Sequence, residues 1–155
     1  MTRASPEISG NESPSFINLD ASHLAAARTL LQNNGLPFDD CDRHIDNFVG
    51  VFSAHHLIAM GGIEVHGESG LLRSVVVDKS SRGQGLASAI VEYLHRQARS
   101  KKLSHLYLLT ETAECFFQAK GYEKQSRNDL PVEIKSTQQF QSLCPASAQA
   151  MRFKL

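Results

Sequence analysis

Two glycines at the junction of a predicted strand and a predicted helix mark the segment best suited to chemistry. The segment reads LLRSVVVDKSSRGQGLASAIVEYL, in which Arg82, Gly83, Gln84 and Gly85 precede the helix. Glycines let backbone N–H groups approach an anion closely, and a helix N-terminus carries about half a positive charge. The pattern predicts a loop that holds a diphosphate. The alternative is a turn that only connects the strand to the helix.

Two other phosphate-binding patterns do not fit this segment. A P-loop requires GxxxxGK[ST], and neither Lys-Ser nor Lys-Thr follows Gly85. A dinucleotide-binding fingerprint requires GxGxxG directly after a strand. Here GQGLAS supplies only the first two glycines, and the five residues DKSSR separate them from the strand.

A third pattern fits, and it is that of a known family. The run RGQGLA, from Arg82 to Ala87, resembles the R-x-x-G-x-A acetyl-CoA motif of the GNAT N-acetyltransferase superfamily, and FFQAKGY resembles its F-Y-x-x-x-G-F segment. The order of elements is similar from about Phe16 onward. The stretches LLRSVVV, HLYLLTETAECFF and STQQFQSLCPASAQAM further resemble the GNAT branch encoded in bacterial arsenic-resistance operons, which implies an arsenic-linked setting.

The resemblance implies acetyl-CoA as co-substrate and assigns roles to particular residues. The strand backbone at Val75, Val76 and Val77 would pair with the pantetheine arm, and an N–H near Val75 or Val76 would polarise the thioester carbonyl. The N–H groups of residues 83–88 would hold the diphosphate, with Arg82 nearby. The implied cofactor-binding residues are Val75, Val76, Val77, Arg82, Gly83, Gln84, Gly85, Leu86, Ala87, Ser88 and Phe117.

Two positions depart from the family pattern. Many members carry a glutamate base where this chain has Leu71, and a tyrosine acid where it has Phe117. A thiol has a pKa of about 8.5, so the thiolate leaves without much help from an acid. An aliphatic amine has a pKa of about 10 and is mostly protonated at neutral pH, so a base is still required.

Glu64, in the strand GGIEVHG, and Glu111, at the end of the strand LSHLYLLT, are the candidate bases, with Glu64 ranked first. For each, the alternative is a solvated carboxylate at a strand end. Arg73 lies on the same strand face as Leu71 and is predicted to bind a substrate carboxylate; its alternative is a surface salt bridge.

The remaining metal-binding residue types do not form a recognisable set. His55, His56 and His66 lack the HExxH spacing or grouped carboxylates of a metal site, so no metal is expected. The chain has three cysteines at wide spacings, which argues against a disulfide framework and against a zinc site. Cys115 and Cys144 are predicted to be buried packing residues rather than arsenic ligands.

Composition favours one soluble domain. The chain has 155 residues and a formal net charge of +0, which gives no general attraction to nucleic acid. No signal peptide or membrane-spanning apolar run is visible, so a cytoplasmic monomer or homodimer without a membrane partner is expected. Residues 1–15 are rich in Ser, Pro, Glu, Gly and Asn and predict a disordered tail before a single domain at 16–155.

The predicted elements give a mixed α/β fold. Asp20 is the expected N-cap of a helix through LAAARTLLQNN, and a short helix is expected in FDDCDRHIDN. An antiparallel meander is expected from the three strands NFVGVFS, HLIAMGGIEV and LLRSVVV, and a long helix then connects it to the strand LSHLYLLT. After this strand we expect a short helix in TAECFFQAK, a strand in GYEKQ and a closing strand in MRFKL. This is a GNAT fold, with a mostly antiparallel sheet of six to seven strands and flanking helices.

The predicted function is transfer of an acetyl group from acetyl-CoA to a small-molecule amine. A non-catalytic acyl-CoA sensor is one alternative. Such a protein would have lost the catalytic glutamate and tyrosine, and this chain has Leu71 and Phe117 at those positions. A protein-lysine acetyltransferase is the other.

Overall fold

The computed structural model describes residues 14–155, so nearly all of the predicted tail at 1–15 lies outside the described residues. The strands are β1 Ile17–Asn18, β2 Phe48–Ser53, β3 His56–His66, β4 Ser69–Val77, β5 His105–Thr110, β6 Glu123–Gln125 and β7 Gln149–Lys154. The α-helices are α1 Leu24–Asn33, α2 Cys41–His44, α3 Leu86–Ser100, α4 Glu114–Ala119 and α5 Val132–Lys135, and a π-helix covers Gln139–Leu143.

The seven strands form one sheet in the order β1-β2-β3-β4-β5-β7-β6. Strands β4 and β5 are parallel, because the long helix α3 carries the chain back between them. The pairs β1–β2, β2–β3, β5–β7 and β6–β7 are antiparallel. The predicted mixed, mostly antiparallel sheet is confirmed.

The described part of the chain divides into two compact units, of which the first comprises residues 14–62 and 74–94. The predicted first helix is confirmed: the Asp20 carboxylate accepts a hydrogen bond from the Ser22 N–H at 2.9 Å, and a 3-10 turn leads into α1. Gly35, with φ of +71°, follows its end. The core of this unit contains Leu19, Ala27, Leu30, Leu31, Cys41, Ile45, Phe48, Met60 and Val76.

Helix α3 packs closely on β3 in this first unit. A Cβ added at Gly61 of β3 would lie 2.9 Å from Cγ2 of Ile90 and 3.3 Å from Cδ1 of Leu94. Both side chains of α3 are fully buried. A side chain at position 61 would collide with Ile90, so glycine allows the helix to approach the strand this closely.

The second unit comprises residues 63–73 and 95–155. Its core contains Leu71, Tyr107, Leu130, Ile134 and Ala150, with Leu109 and Phe140 packed at its margin. Whether 16–155 behaves as one domain stays a prediction. Among residues 14–155, none of the helices combines the length and the apolar character that crossing a membrane requires.

Candidate functional site

The loop between β4 and α3 has the backbone shape that glycine allows. Gly83 has φ of +83° and Gly85 has φ of +78°, in the left-handed region that other residues rarely adopt. Within residues 14–155, a Cβ added at either glycine would have no atom within 4 Å other than those of its chain neighbours. The two glycines therefore border open space, immediately before α3 begins at Leu86. We call residues 82–88 the phosphate loop.

Arg82 fastens the phosphate loop to two other elements of its unit. Its Nε donates to the Val77 carbonyl oxygen at 3.1 Å, and its Nη2 donates to the Asn34 Oδ1 at 2.6 Å. Asn34 in turn donates from Nδ2 to the Leu30 carbonyl oxygen at 2.8 Å. The guanidinium thus holds the loop against the ends of β4 and α1. Sequence reasoning missed Asn34, because nothing in the residue pattern links it to Arg82.

The other predicted residues of the loop differ in exposure. Gln84 is exposed, whereas the Leu86 side chain is buried and anchors the first turn of α3. Ala87 and Ser88 are half-buried, and the Ser88 hydroxyl donates to Glu92 Oε2 at 3.2 Å. The exposed residues of the loop are thus its two glycines together with Arg82 and Gln84.

Strand β4, which leads into the loop, contains a strained residue. Ser74 has φ of +60° although it is not glycine, and it directly precedes Val75. Residues held in such conformations cost about 1–3 kcal/mol and cluster at functional sites. Val75 is half-buried, while Val76 and Val77 are buried. The simple alternation along this strand that sequence reasoning assumed stops at Ser74.

In the second unit, the first candidate base and the predicted substrate-binding arginine contact each other. Arg73 Nη1 donates to Glu64 Oε2 at 2.6 Å, and the side chains are 0% and 4% exposed. His66 Nε2 lies 3.0 Å from the other oxygen, Glu64 Oε1, and its side chain is 32% exposed. The solvated carboxylate considered for Glu64 and the surface salt bridge considered for Arg73 are both wrong, because the pair is buried.

The second candidate base lies in a different setting. Glu111 follows the last residue of β5 and is exposed.

Cys144 is half-buried, and burial is the main reason why the pKa of its thiol is raised; the charge of Glu111 acts in the same direction. Gln139 donates to its sulfur at 3.4 Å. The prediction that Cys115 is buried is wrong, because this residue lies exposed on the short helix α4.

Arg127 organises the segment that carries Cys144. Its Nη1 donates to the carbonyl oxygens of Pro145 and Ala148, at 3.2 and 3.1 Å, and its guanidinium carbon lies 4.5 Å from the centre of the Phe140 ring. These contacts connect Arg127 to the π-helix, through Phe140, and to residues 144–148, which belong to no helix or strand.

Phe117 belongs to an aromatic cluster in the second unit. It is 7% exposed, and its ring packs edge-on against Tyr122 with centroids 5.4 Å apart. The Tyr122 hydroxyl lies 2.9 Å from His95 Nε2, and burial raises the pKa of Tyr122 far above its usual range. The hydroxyl therefore stays neutral at physiological pH. Sequence reasoning read this tyrosine only as part of a motif.

Comparison with known proteins agrees with this architecture. A model of the acetyltransferase (GNAT) domain matches residues 46–124. Among solved structures, N-acetylglutamate synthase from Neisseria gonorrhoeae, complexed with coenzyme A and N-acetyl-glutamate, gives a TM-score of 0.79 at 14% identity, covering 91% of this chain and 35% of the synthase. The present chain thus spans about a third of that protein.

Two further structures match nearly over their full lengths. The PaiA N-acetyltransferase from Thermoplasma acidophilum, in complex with coenzyme A, gives a TM-score of 0.70 at 10% identity, covering 93% of this chain and 100% of that one. The ribosomal-protein-S18-alanine N-acetyltransferase from Escherichia coli gives a TM-score of 0.68 at 16% identity, covering 90% of this chain and 92% of that one. At these identities the matches establish a shared fold.

Proposed function

Because this chain belongs to the GNAT acetyltransferase family, we propose that it moves the acetyl group of acetyl-CoA to the amine of a small molecule. The observation that carries the proposal is the phosphate loop, in which Gly83 and Gly85 adopt positive φ and border open space. A diphosphate needs this close access to backbone N–H groups at a helix N-terminus.

The loop residues divide the work of holding the diphosphate. The N–H groups of residues 83–88 supply the hydrogen bonds, and the first turn of α3 adds its positive dipole end. Arg82 keeps the loop in place through Val77 and Asn34, and its guanidinium has further donors for a phosphate oxygen. The backbone of Val75, Val76 and Val77 would pair with the pantetheine arm, while Phe117 would lie beside the thiol end.

Acetyl transfer requires a free amine and a stabilised oxyanion. The amine nitrogen forms a bond to the thioester carbon, the carbon–sulfur bond breaks, and the thiolate of CoA leaves. Negative charge collects on the carbonyl oxygen during the attack, and a backbone N–H at Val75 or Val76 would bind it. The strained Ser74 just before Val75 supports this assignment, because it sets the direction of the following peptide group.

The proton released by the amine must be accepted by the protein or by water. Glu64 and Glu111 are the carboxylates proposed for this role, and their surroundings differ: Glu64 is buried against Arg73 and Glu111 is exposed. Small acceptors are supported by the net charge of +0, which suits no particular basic or acidic peptide. An arsenic-linked setting rests on the resemblance alone.

The test is thiol release from acetyl-CoA with a panel of acceptors. The panel contains amino acids, aliphatic amines, amine-bearing arsenicals and a lysine peptide, and calorimetry measures CoA affinity separately. Turnover with a small amine supports the proposal, whereas turnover with the peptide alone would indicate a protein acetyltransferase. CoA binding with no turnover would indicate a sensor. Failure to bind CoA would refute the assignment of the phosphate loop.

A further inference from the structure

A buried side-chain amide between α5 and β7 is only half paired. Gln139 is 7% exposed, and its Nε2 donates to the Cys144 sulfur at 3.4 Å. Its Oε1 is buried and has no hydrogen-bond partner in the part of the chain that the structure describes. If the two ends of the amide were exchanged, the oxygen would meet the thiol and the N–H group would be left unpaired. In either orientation, one end of a buried amide lacks a partner.

The backbone that carries this amide is unusual as well. Gln139–Leu143 form a π-helix, and the Cys144 N–H donates to the Gln139 carbonyl oxygen at 2.9 Å. π-helices are rare and frequently occur at functional sites. An unpaired polar group in the interior lowers stability, because it has lost water and gained no protein partner. Two independent features thus mark the same residues, and one of them costs stability.

We call residues 139–148 the strap, because both of its ends are fixed. Before it, Thr137 is buried and its hydroxyl donates to the Ile134 carbonyl oxygen at 2.8 Å. At its other end Ala148 is buried, directly before β7 begins. Residues 145–147 are exposed and belong to no helix or strand. Segments of this kind open in native proteins at a lower free energy than the core elements beside them.

A single side chain outside the strap fastens it. The Arg127 guanidinium donates to three strap carbonyl oxygens, at 3.4, 3.2 and 3.1 Å, which belong to Phe140, Pro145 and Ala148. Hydrogen bonds from a charged donor are roughly twice as strong as neutral ones, so these contacts carry much of the attachment. Opening would break them, but it would also let water reach the unpaired end of Gln139. The two residues therefore act in opposite directions.

We propose that the strap opens and recloses locally while the rest of the second unit stays folded, with Arg127 as its fastening and the Gln139 amide as the group that favours opening. The open strap presents the Gln139 amide and the Cys144 thiol to small molecules. The charges of Arg73 and Glu111 act on this thiol, so the motion takes place within the electrostatic range of two residues predicted to act in the site.

Cys144 reports on the opening, because its thiol lies half-buried against the Gln139 amide. Iodoacetamide is the probe: the thiolate sulfur bonds to the methylene carbon of the reagent and iodide leaves. The experiment uses Cys115→Ser, which removes the exposed thiol and leaves Cys144 beside the fully buried Cys41 of the first unit. Local opening predicts that Cys144 is modified at least roughly 10-fold faster than Cys41, which only a larger unfolding would expose.

Two variants in this background should change the Cys144 rate in opposite directions. Arg127→Gln should raise it roughly 10-fold or more, because the strap loses its charged donor. Loss of the Arg127 charge alone would raise the pKa of the thiol and slow the reaction, so an acceleration isolates the opening. Gln139→Met should lower the rate about fivefold or more, since it removes the unpaired group. Arg152→Gln is the matched control: Arg152 pairs with Glu123 on β6, outside the strap, and the rate should not change.

Equal modification rates of Cys41 and Cys144 would overturn the inference, as would an Arg127→Gln rate no higher than that of Arg152→Gln, or a Gln139→Met rate no lower than that of the background. Hydrogen exchange in the wild-type protein tests the same motion without a variant. The Cys144 N–H, which donates within the strap, should exchange faster than the Met151 N–H in β7; exchange as slow as that of Met151 would contradict the opening. None of these readouts involves acetyl transfer, so their outcome leaves the proposed function untouched.

Discussion

Gly85→Ala isolates the role of the phosphate loop, because the substitution adds one methyl group at a position that no protein atom occupies. The Cβ of the new alanine would have no atom of the described chain within 4 Å beyond its chain neighbours, so packing offers no steric obstacle to it. The backbone does, since φ at this residue is +78°. An L-residue in the left-handed region costs about 1–2 kcal/mol. The expected loss of folding stability is of that size.

Gly85→Ala is also expected to weaken CoA binding, and this effect has a different origin from the loss of stability. If a diphosphate occupies the open space beside Gly85, the methyl group moves it away from the loop N–H groups. Losing one hydrogen bond to a charged group costs about 1.5–3 kcal/mol, which corresponds to a roughly 10- to 150-fold rise in Kd. The loss of stability alone leaves the affinity of the folded protein unchanged.

Gly67→Ala provides the matched control. Gly67 has φ of +65° and also has no protein atom within 4 Å of an added Cβ, but it lies in the turn between β3 and β4. Both variants should lower the unfolding midpoint by roughly 2–8 °C, and only Gly85→Ala should weaken CoA binding in calorimetry. A folded Gly85→Ala protein with wild-type affinity, or an equal affinity loss in both variants, would refute the reasoning.

Three further predictions follow from individual contacts. Asn34→Ala should raise the Kd for CoA by roughly 2- to 10-fold in calorimetry, because Arg82 loses the hydrogen-bond partner at 2.6 Å. Asn33 is exposed and adjacent, so Asn33→Ala should leave the Kd unchanged. Arg73→Met should lower the free energy of unfolding in urea by about 3–5 kcal/mol, since it leaves the Glu64 charge buried without this partner; a loss below 1 kcal/mol would contradict the burial of the pair. Iodoacetamide at neutral pH should modify the exposed Cys115 well before Cys144, because the raised pKa of Cys144 leaves less of its thiol as thiolate. Equal modification rates of the two cysteines in peptide mass mapping would contradict this prediction.

Local sequence signals were sufficient for most of the fold. The helical spacing of Leu86, Ile90 and Leu94 predicted α3, and all three are buried. The short strand β1 could not be predicted, because two residues carry no periodicity and its existence depends on pairing Ile17 with Gly50. The closing strand predicted in MRFKL is confirmed as β7, but the segment between Arg127 and β7 could not be predicted, since its shape depends on hydrogen bonds to carbonyls far along the chain.

The candidate site was predictable where backbone geometry dictates residue type. Positive φ at positions 83 and 85 demands glycine, so the pattern in the sequence carries the shape of the loop. The burial of Glu64 was not predictable, because a charged residue near a strand end usually faces solvent. One signal for the contact between Glu64 and His66 was present: the two residues are two apart, which places both side chains on one face of a strand.

The absence of a glutamate at position 71 and the presence of one at position 64 are connected. Leu71 is 1% exposed and packs in an apolar cluster with Tyr107, Leu130 and Ile134, where a carboxylate would be desolvated without a charged partner. Glu64 lies on the neighbouring strand β3, where Arg73 supplies that partner at 2.6 Å. Closing the cluster over Leu71 therefore removes the site for one carboxylate, while the ion pair makes another tolerable. The ion pair also buries this carboxylate, so of the two candidate bases only Glu111 is exposed.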